Sequence, residues 1–229
     1  TFLNKGTLDS PRTGIYVERG YSYTTIGKIV NEGVMKAKNN VIAYDATNFI
    51  GEIINKGTII SENGNGIHIF NYDHKNTPRD IGKITLAPGS VMEVKNNAIS
   101  INTHSQKTEV KGIEIQKGAT LKSENGAAIA VAPNNHITGD INIAGKIEAK
   151  TGISNAGNIA ASITLSDEVK NFSVENKGSG NITGSIEAKD NVALSLINSD
   201  NSSIGGSITS SSNAPISIKN EGNANIGGD

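Results

Sequence analysis

The chain has 229 residues and a formal net charge of -1, and only 3 of its 21 basic residues are arginines, scattered along its length. That balance lacks the concentrated basic footprint nucleic-acid binding requires. The absence of cysteine excludes disulfides and thiolate metal sites, and no apolar run is long enough to span a membrane as a helix. The aliphatic residues are 33 Ile and 11 Val against 7 Leu, a bias toward β-branched side chains that favour strands. With 26 Gly and 29 Asn to form turns and 4% aromatics, the composition predicts an all-β chain with a narrow, aliphatic interior.

A short phrase recurs in chain order. It appears first as Ile26-Gly-Lys-Ile29, Ile50-Gly-Glu-Ile53, Ile81-Gly-Lys-Ile84 and Val110-Lys-Gly-Ile113, at spacings between 24 and 31. One residue longer, it returns at Ile137, Ile159, Ile182, Ile204 and Ile226, at spacings of 22, 23, 22 and 22. Between recurrences a second element places apolar residues about eight positions apart: Val34 to Ile42, Ile59 to Ile67, Val91 to Ile99, Leu121 to Ile129. The later residue opens a short alternating strand such as Ile67-His-Ile69 or Ile99-Ser-Ile101. Several short strands per turn, separated by Gly/Asn corners, describe a solenoid. Leucine is too rare for leucine-rich repeats, and hexapeptide periodicity is missing. The expected fold is a right-handed parallel β-helix of about ten coils, a rod on the order of 50 Å long. It forms one segment over 1–229, with longer looped coils in 1–136 and regular 22-residue coils in 137–229. Phe2–Leu8 repeats the pattern of Ile53–Ile59, and neither terminus reads as a cap, so an uncapped fragment is expected.

Asn155, Asn176, Asn198 and Asn220 recur at one turn and predict a hydrogen-bonded ladder of stacked side chains. The candidate binding surface lies where the repeat is broken. Segments 18–25, 45–49, 71–80, 102–109 and 132–136 all follow an alternating strand and should stack along one edge. They carry Tyr21, Tyr23, Tyr72, His74, Lys75, Arg79 and His104, and insertions on one face of a repeat protein often form its binding face. A second strip is the outward row Tyr16, Ala43, His68, Ser100, Ala130, Ser154, Ser173, Ser195 and Ser217, on which His68 reads as a solvated residue.

The chemistry of cleavage finds little here. Polysaccharide-cleaving β-helices need clustered carboxylates, or carboxylates holding calcium beside a basic residue. The acids are dispersed. Glu148 and Glu187 share the phrase Ile-Glu-Ala-Lys but fall two coils apart, roughly 10 Å along the axis. Arg79 stands near Asp73 and Asp80 in a loop, and the four histidines lack ligand spacing. No catalytic residue, metal or cofactor is expected, and the chain is not read as an enzyme.

The Ile-x-Gly-x-Ile phrases, the Asn-Lys-Gly-Thr and Asn-Glu-Gly turns at Asn4, Asn31 and Asn55, the Asn ladder and the absence of cysteine resemble the passenger region of monomeric bacterial autotransporters. The resemblance is one of repeat style and covers nearly the whole chain. It implies export across the Gram-negative outer membrane to the cell surface and an adhesive, virulence-linked role. The implied partners are a host-cell surface, a matrix protein or glycan, or another copy of the chain. Direct membrane insertion by this segment and nucleic acid are not expected. A carbohydrate-active enzyme and a passive stalk or toxin segment are the alternatives.

Overall fold

A computed structural model describes residues 1–17, 25–45, 49–71, 79–103, 108–211 and 213–228. The described residues form strands and turns without helix, and every strand pairs in parallel with its counterpart one coil away. The chain winds as a β-solenoid of about eight turns. That is slightly fewer than the ten expected.

Each early coil carries three strands in succession. The second coil has Thr25–Asn31, Val34–Ala37 and Ile42–Asp45, and the third has Phe49–Asn55, Thr58–Ser61 and Ile67–Asn71. Stacked, they give a first, second and third row of strands. The recurring phrase builds the first row, and both of its ends stay in register. Ile26, Ile50, Ile81, Val110, Ile137, Ile159, Ile182, Ile204 and Ile226 pair in sequence. So do Ile29, Ile53, Ile84, Ile113, Ile141, Ile163, Ile186 and Ile208. The extra residue of the later phrase is absorbed by a break in the strand, which splits into His136–Ile137 and Ile141–Ile143. Glycine has a steric reason at Gly82 and Gly206, where a Cβ would run into the backbone carbonyl of Gly51 or Gly184 in the preceding coil, although Lys111 and Ala161 take the equivalent place in other coils.

The isoleucine columns fill the interior and are almost wholly buried. Two aromatics break the aliphatic pattern: Tyr44 is fully buried, and Phe172 points inward at the space left by Gly152. In the second row, Met35, Ile59, Met92 and Leu121 pair in register and take the core positions. Val34 and Val91 pair with Thr58 and Thr120 and are half-buried. Valine tolerates that place because a β-branched residue suits either side of a half-exposed strand.

The rod narrows toward its C-terminal part. From first-row end to third row, one coil runs from Ile115 to Ile129, the next from Ile143 to Ile153, and a later one from Ala188 to Leu196. The residues lost are those of the second row. Its last strand is Lys146–Ala149, the first part of Lys146–Asn155, paired with Thr120–Ser123.

Asparagine ladders hold two different corners. Asn155 Nδ2 donates to Asn176 Oδ1, Asn176 to Asn198 and Asn198 to Asn220, each at 2.8 Å. Asn155, Asn176 and Asn198 are fully buried. Asn4, Asn31 and Asn55 form a second ladder at the end of the first row, also at 2.8 Å per step. Asn176 Nδ2 additionally reaches the carbonyls of Gly180 and Ser203. Asn176→Leu should therefore lower stability by about 3 kcal/mol, because it strands buried polar groups on Asn155 and Asn198. The midpoint of urea unfolding checks this; a midpoint equal to that of the parent chain would show that the ladder is dispensable.

Candidate functional site

The third-row strands Ile15–Val17, Ile42–Asp45, Ile67–Asn71 and Ile99–Thr103 each end at one corner, and the next first-row strand starts beyond it. The segments that connect them at this corner coincide with the candidate loops. Tyr21, Tyr23, Tyr72, His74, Lys75 and His104 lie outside the described residues. Arg79 and Asp80 open the strand Arg79–Leu86, so they belong to the sheet and not to a loop as expected. Asp80 lies 3.4 Å from the Lys111 ammonium, which also pairs with Glu109 at 2.6 Å. The following corner is a tight turn through Asn134 with φ of 64°. It is fastened by buried Asn135, whose Oδ1 accepts from the Thr103 hydroxyl at 2.6 Å and the Thr103 N–H at 3.1 Å.

Tyr16, Ala43, His68, Ser100, Ala130 and Ser154 do form one outward row, rung by rung. Beyond Ser154 the row continues through Glu175, Ile197 and Lys219. Ser173, Ser195 and Ser217 stack on one another in a separate row two residues away. The expected continuous serine strip is thus broken, and the cause is the asparagine ladder. Asn155 must face Asn176 to keep its hydrogen bond, and that alignment places Ser154 beside Glu175.

His68 is not the solvated residue its outward position suggested. It is half-buried and its ring lies 5.4 Å from Phe70, stacked at 17°. Phe70 stacks in turn on Tyr16 at 5.8 Å and 27°. The arrangement follows from residue size: Ala43 stands between Tyr16 and His68 in the row and leaves room for the Phe70 ring. Phe70 was missed in the sequence, although its place one residue beyond Ile69 gave it an outward direction. Tyr16 keeps 51% of its surface exposed, so the stack presents the Tyr16 ring as an aromatic face near the ends of the third-row strands. Such a face can take the apolar side of a sugar ring or an aliphatic or cationic side chain.

Glu148 and Glu187 prove farther apart than their coil separation implied. Glu148 is in the second row, in register with Lys122 and Glu93, whereas Glu187 is in the first, in register with Thr164. Each pairs with a neighbouring lysine, Lys146 at 2.5 Å and Lys189 at 3.3 Å. Among the described residues no group of three or more His, Cys, Asp or Glu side chains could hold a metal ion.

Burial lowers the pKa of His68 below the ordinary histidine value, and its Nδ1 has no hydrogen-bond partner among the described residues. The fold therefore favours neutral imidazole. Its contribution to stability is full above the unfolded pKa of about 6.5 and is lost as pH falls through the depressed folded value. Thermal midpoints should drop between about pH 7 and about pH 5 in the parent chain and drop less in His68→Gln. Equal slopes in the two chains would contradict the burial of a neutral ring.

No family model matches the chain, and no curated protein or solved structure matches it significantly.

Proposed function

We propose that this chain is part of a surface-exposed adhesive rod, the passenger of an autotransporter-type protein carried across a bacterial outer membrane. Its role is attachment to a host-cell surface, matrix protein or glycan, or to other copies of itself. The observation that carries this reading is the Tyr16–Phe70–His68 stack on a scaffold held in strict register, beside the third-row strand ends after which the sequence places its longest connections between early coils. Regular coils fix the spacing of successive corners at about 4.8 Å. Weak contacts repeated along such an edge sum through multivalency, and a deep pocket is not needed. Polysaccharide cleavage receives less support, since Glu148 and Glu187 occupy different rows and each is paired with a lysine.

The test compares the chain with two variants in binding to cultured epithelial cells, immobilised matrix proteins and a glycan array. One variant replaces residues 72–78 by a short Gly-Ser turn; the other is Tyr16→Ala. Tyr16 is half-exposed, and shortening a connection shifts its closure entropy only slightly, so circular dichroism should remain that of the parent in both variants. Binding to at least one surface should fall tenfold or more in both. No binding by the parent chain, or equal binding by all three, would sink the adhesive reading and leave a passive stalk.

A further inference from the structure

The narrowing of the rod leaves a strand edge open in its middle. Lys146–Ala149 pairs with Thr120–Ser123 on one side. On the other side the next coil comes into register only at Ile153, opposite Val174, so among the described residues no strand pairs with 146–149 on that side. The Lys146 N–H donates to the Ala119 carbonyl at 2.9 Å. Because successive residues of a strand direct their backbone groups to alternate sides, those of Ile147 and Ala149 face the open side.

The gap is a recess of about 840 Å³. Ile147 and Ala149 pack on the core but remain partly exposed, because the rung that would cover them is missing. The far wall carries Asp167, Glu168 and Lys170. One end is closed by a clip that bypasses the intervening coil, whose turn is only Ala144–Gly145. Lys117 Nζ meets Asp167 Oδ1 at 3.1 Å, and the Gly118 N–H donates to Glu168 Oε2 at 3.0 Å. The clip holds the coils on either side of the step together and leaves the edge uncovered.

We propose that this recess is a docking site for an extended segment of another polypeptide, which adds as a parallel strand to the edge of Lys146–Ala149. The occupant is defined by what the edge lacks. Its backbone supplies partners to Ile147 and Ala149. Its alternate apolar side chains cover those two residues, and its polar ones stand beside Lys146 and Glu148, an acid favouring the first and a base the second. An open, partly apolar edge is the feature that favours strand addition. A neutral oligosaccharide would satisfy the charged wall but would leave the apolar pair and the directed backbone groups unmatched. The site lies on a different row from the aromatic stack and does not depend on the adhesive reading.

The probe is a fluorescein-labelled peptide of the chain's own sequence from Thr120 to Asn125, Thr-Leu-Lys-Ser-Glu-Asn. In the rod this sequence already pairs with residues 146–149, with Lys122 in register with Glu148. Fluorescence anisotropy with the full chain should show saturable binding. Ala149→Pro should weaken it at least tenfold, because proline removes an N–H that faces the recess and is tolerated at an edge. Ala149→Val, which keeps the N–H, should bind like the parent. The same peptide N-methylated at alternate residues should lose binding to the unaltered chain, which tests strand addition without relying on any variant to fold. Failure of the probe to bind, equal binding to Ala149→Pro with parental circular dichroism, or indifference to N-methylation would each overturn the proposal. So would binding of a neutral oligosaccharide at the recess in place of the peptide.

Discussion

Every side chain of this rod is placed by the parallel hydrogen-bond ladder between one coil and the next. Adjacent strands are held about 4.8 Å apart, and the rest of the structure must accept that spacing. Where the first row bends, glycine lets the chain lie close against the carbonyl of the coil before it, as at Gly82 on Gly51. Inside, identical residues recur at the same height in each coil, which is why isoleucine forms columns: one branched side chain that packs well at one rung packs equally well at the next. At the corners, where the ladder is interrupted, asparagine substitutes for backbone. Its amide donates to the next asparagine at the same repeat while also meeting turn carbonyls, so buried polar groups are not left alone.

This arrangement divides stability from surface function. Apart from the clip from Lys117 and Gly118 to Asp167 and Glu168, each coil contacts its immediate neighbours, so the energy of the rod is close to a sum of local terms, dominated by burial of the aliphatic columns. The axial ion pairs on the outside, such as Lys28–Glu52 at 2.6 Å and Lys36–Glu62 at 2.9 Å, are solvent-exposed and contribute little each. They keep the faces soluble and neutral. Lengthening a connection at one corner disturbs none of these terms, because it adds residues outside the ladder at small entropic cost. Variation therefore collects at the third-row corner, and the stacked rings beside it are held by the same rungs that hold the core.

The sequence made visible what repeats and obscured what departs from repetition. The phrase from Ile26 to Ile226 aligned both of its ends correctly, because the aliphatic residues at those ends fill continuous buried columns. The Asn155–Asn220 ladder was legible for the same reason. The Asn4–Asn31–Asn55 ladder has steps of 27 and 24 residues, and this uneven spacing in the longer coils shows turn chemistry in the sequence but hides the ladder. The serine strip was misaligned because serine at an outward position is weakly constrained, so its spacing alone could not fix register; the buried asparagine beside it could. His68 and Phe70 show a further limit. Alternation gives the direction of a side chain but not what lies over it: Phe70, outward yet set between two rings, is buried, and His68 beside it is half-buried.

The step between wide and narrow coils bears on how a solenoid can acquire a binding site at all. A uniform rod buries every strand edge between coils and exposes edges only at its ends. Changing the coil size along the rod opens an edge in its middle, because the residues dropped from the narrower coil were the partners of the last wide one. Here the loss of the second row after Ala149 does this without unpairing the first or third row, both of which remain in register across the step. The clip from Lys117 and Gly118 to Asp167 and Glu168 spans the place where the ladder is thinnest. A free edge in a flexible segment would have to be ordered before it could accept a strand. An edge fixed by continuous rungs on either flank is already in the geometry that strand addition requires, so less conformational entropy is lost when a partner docks.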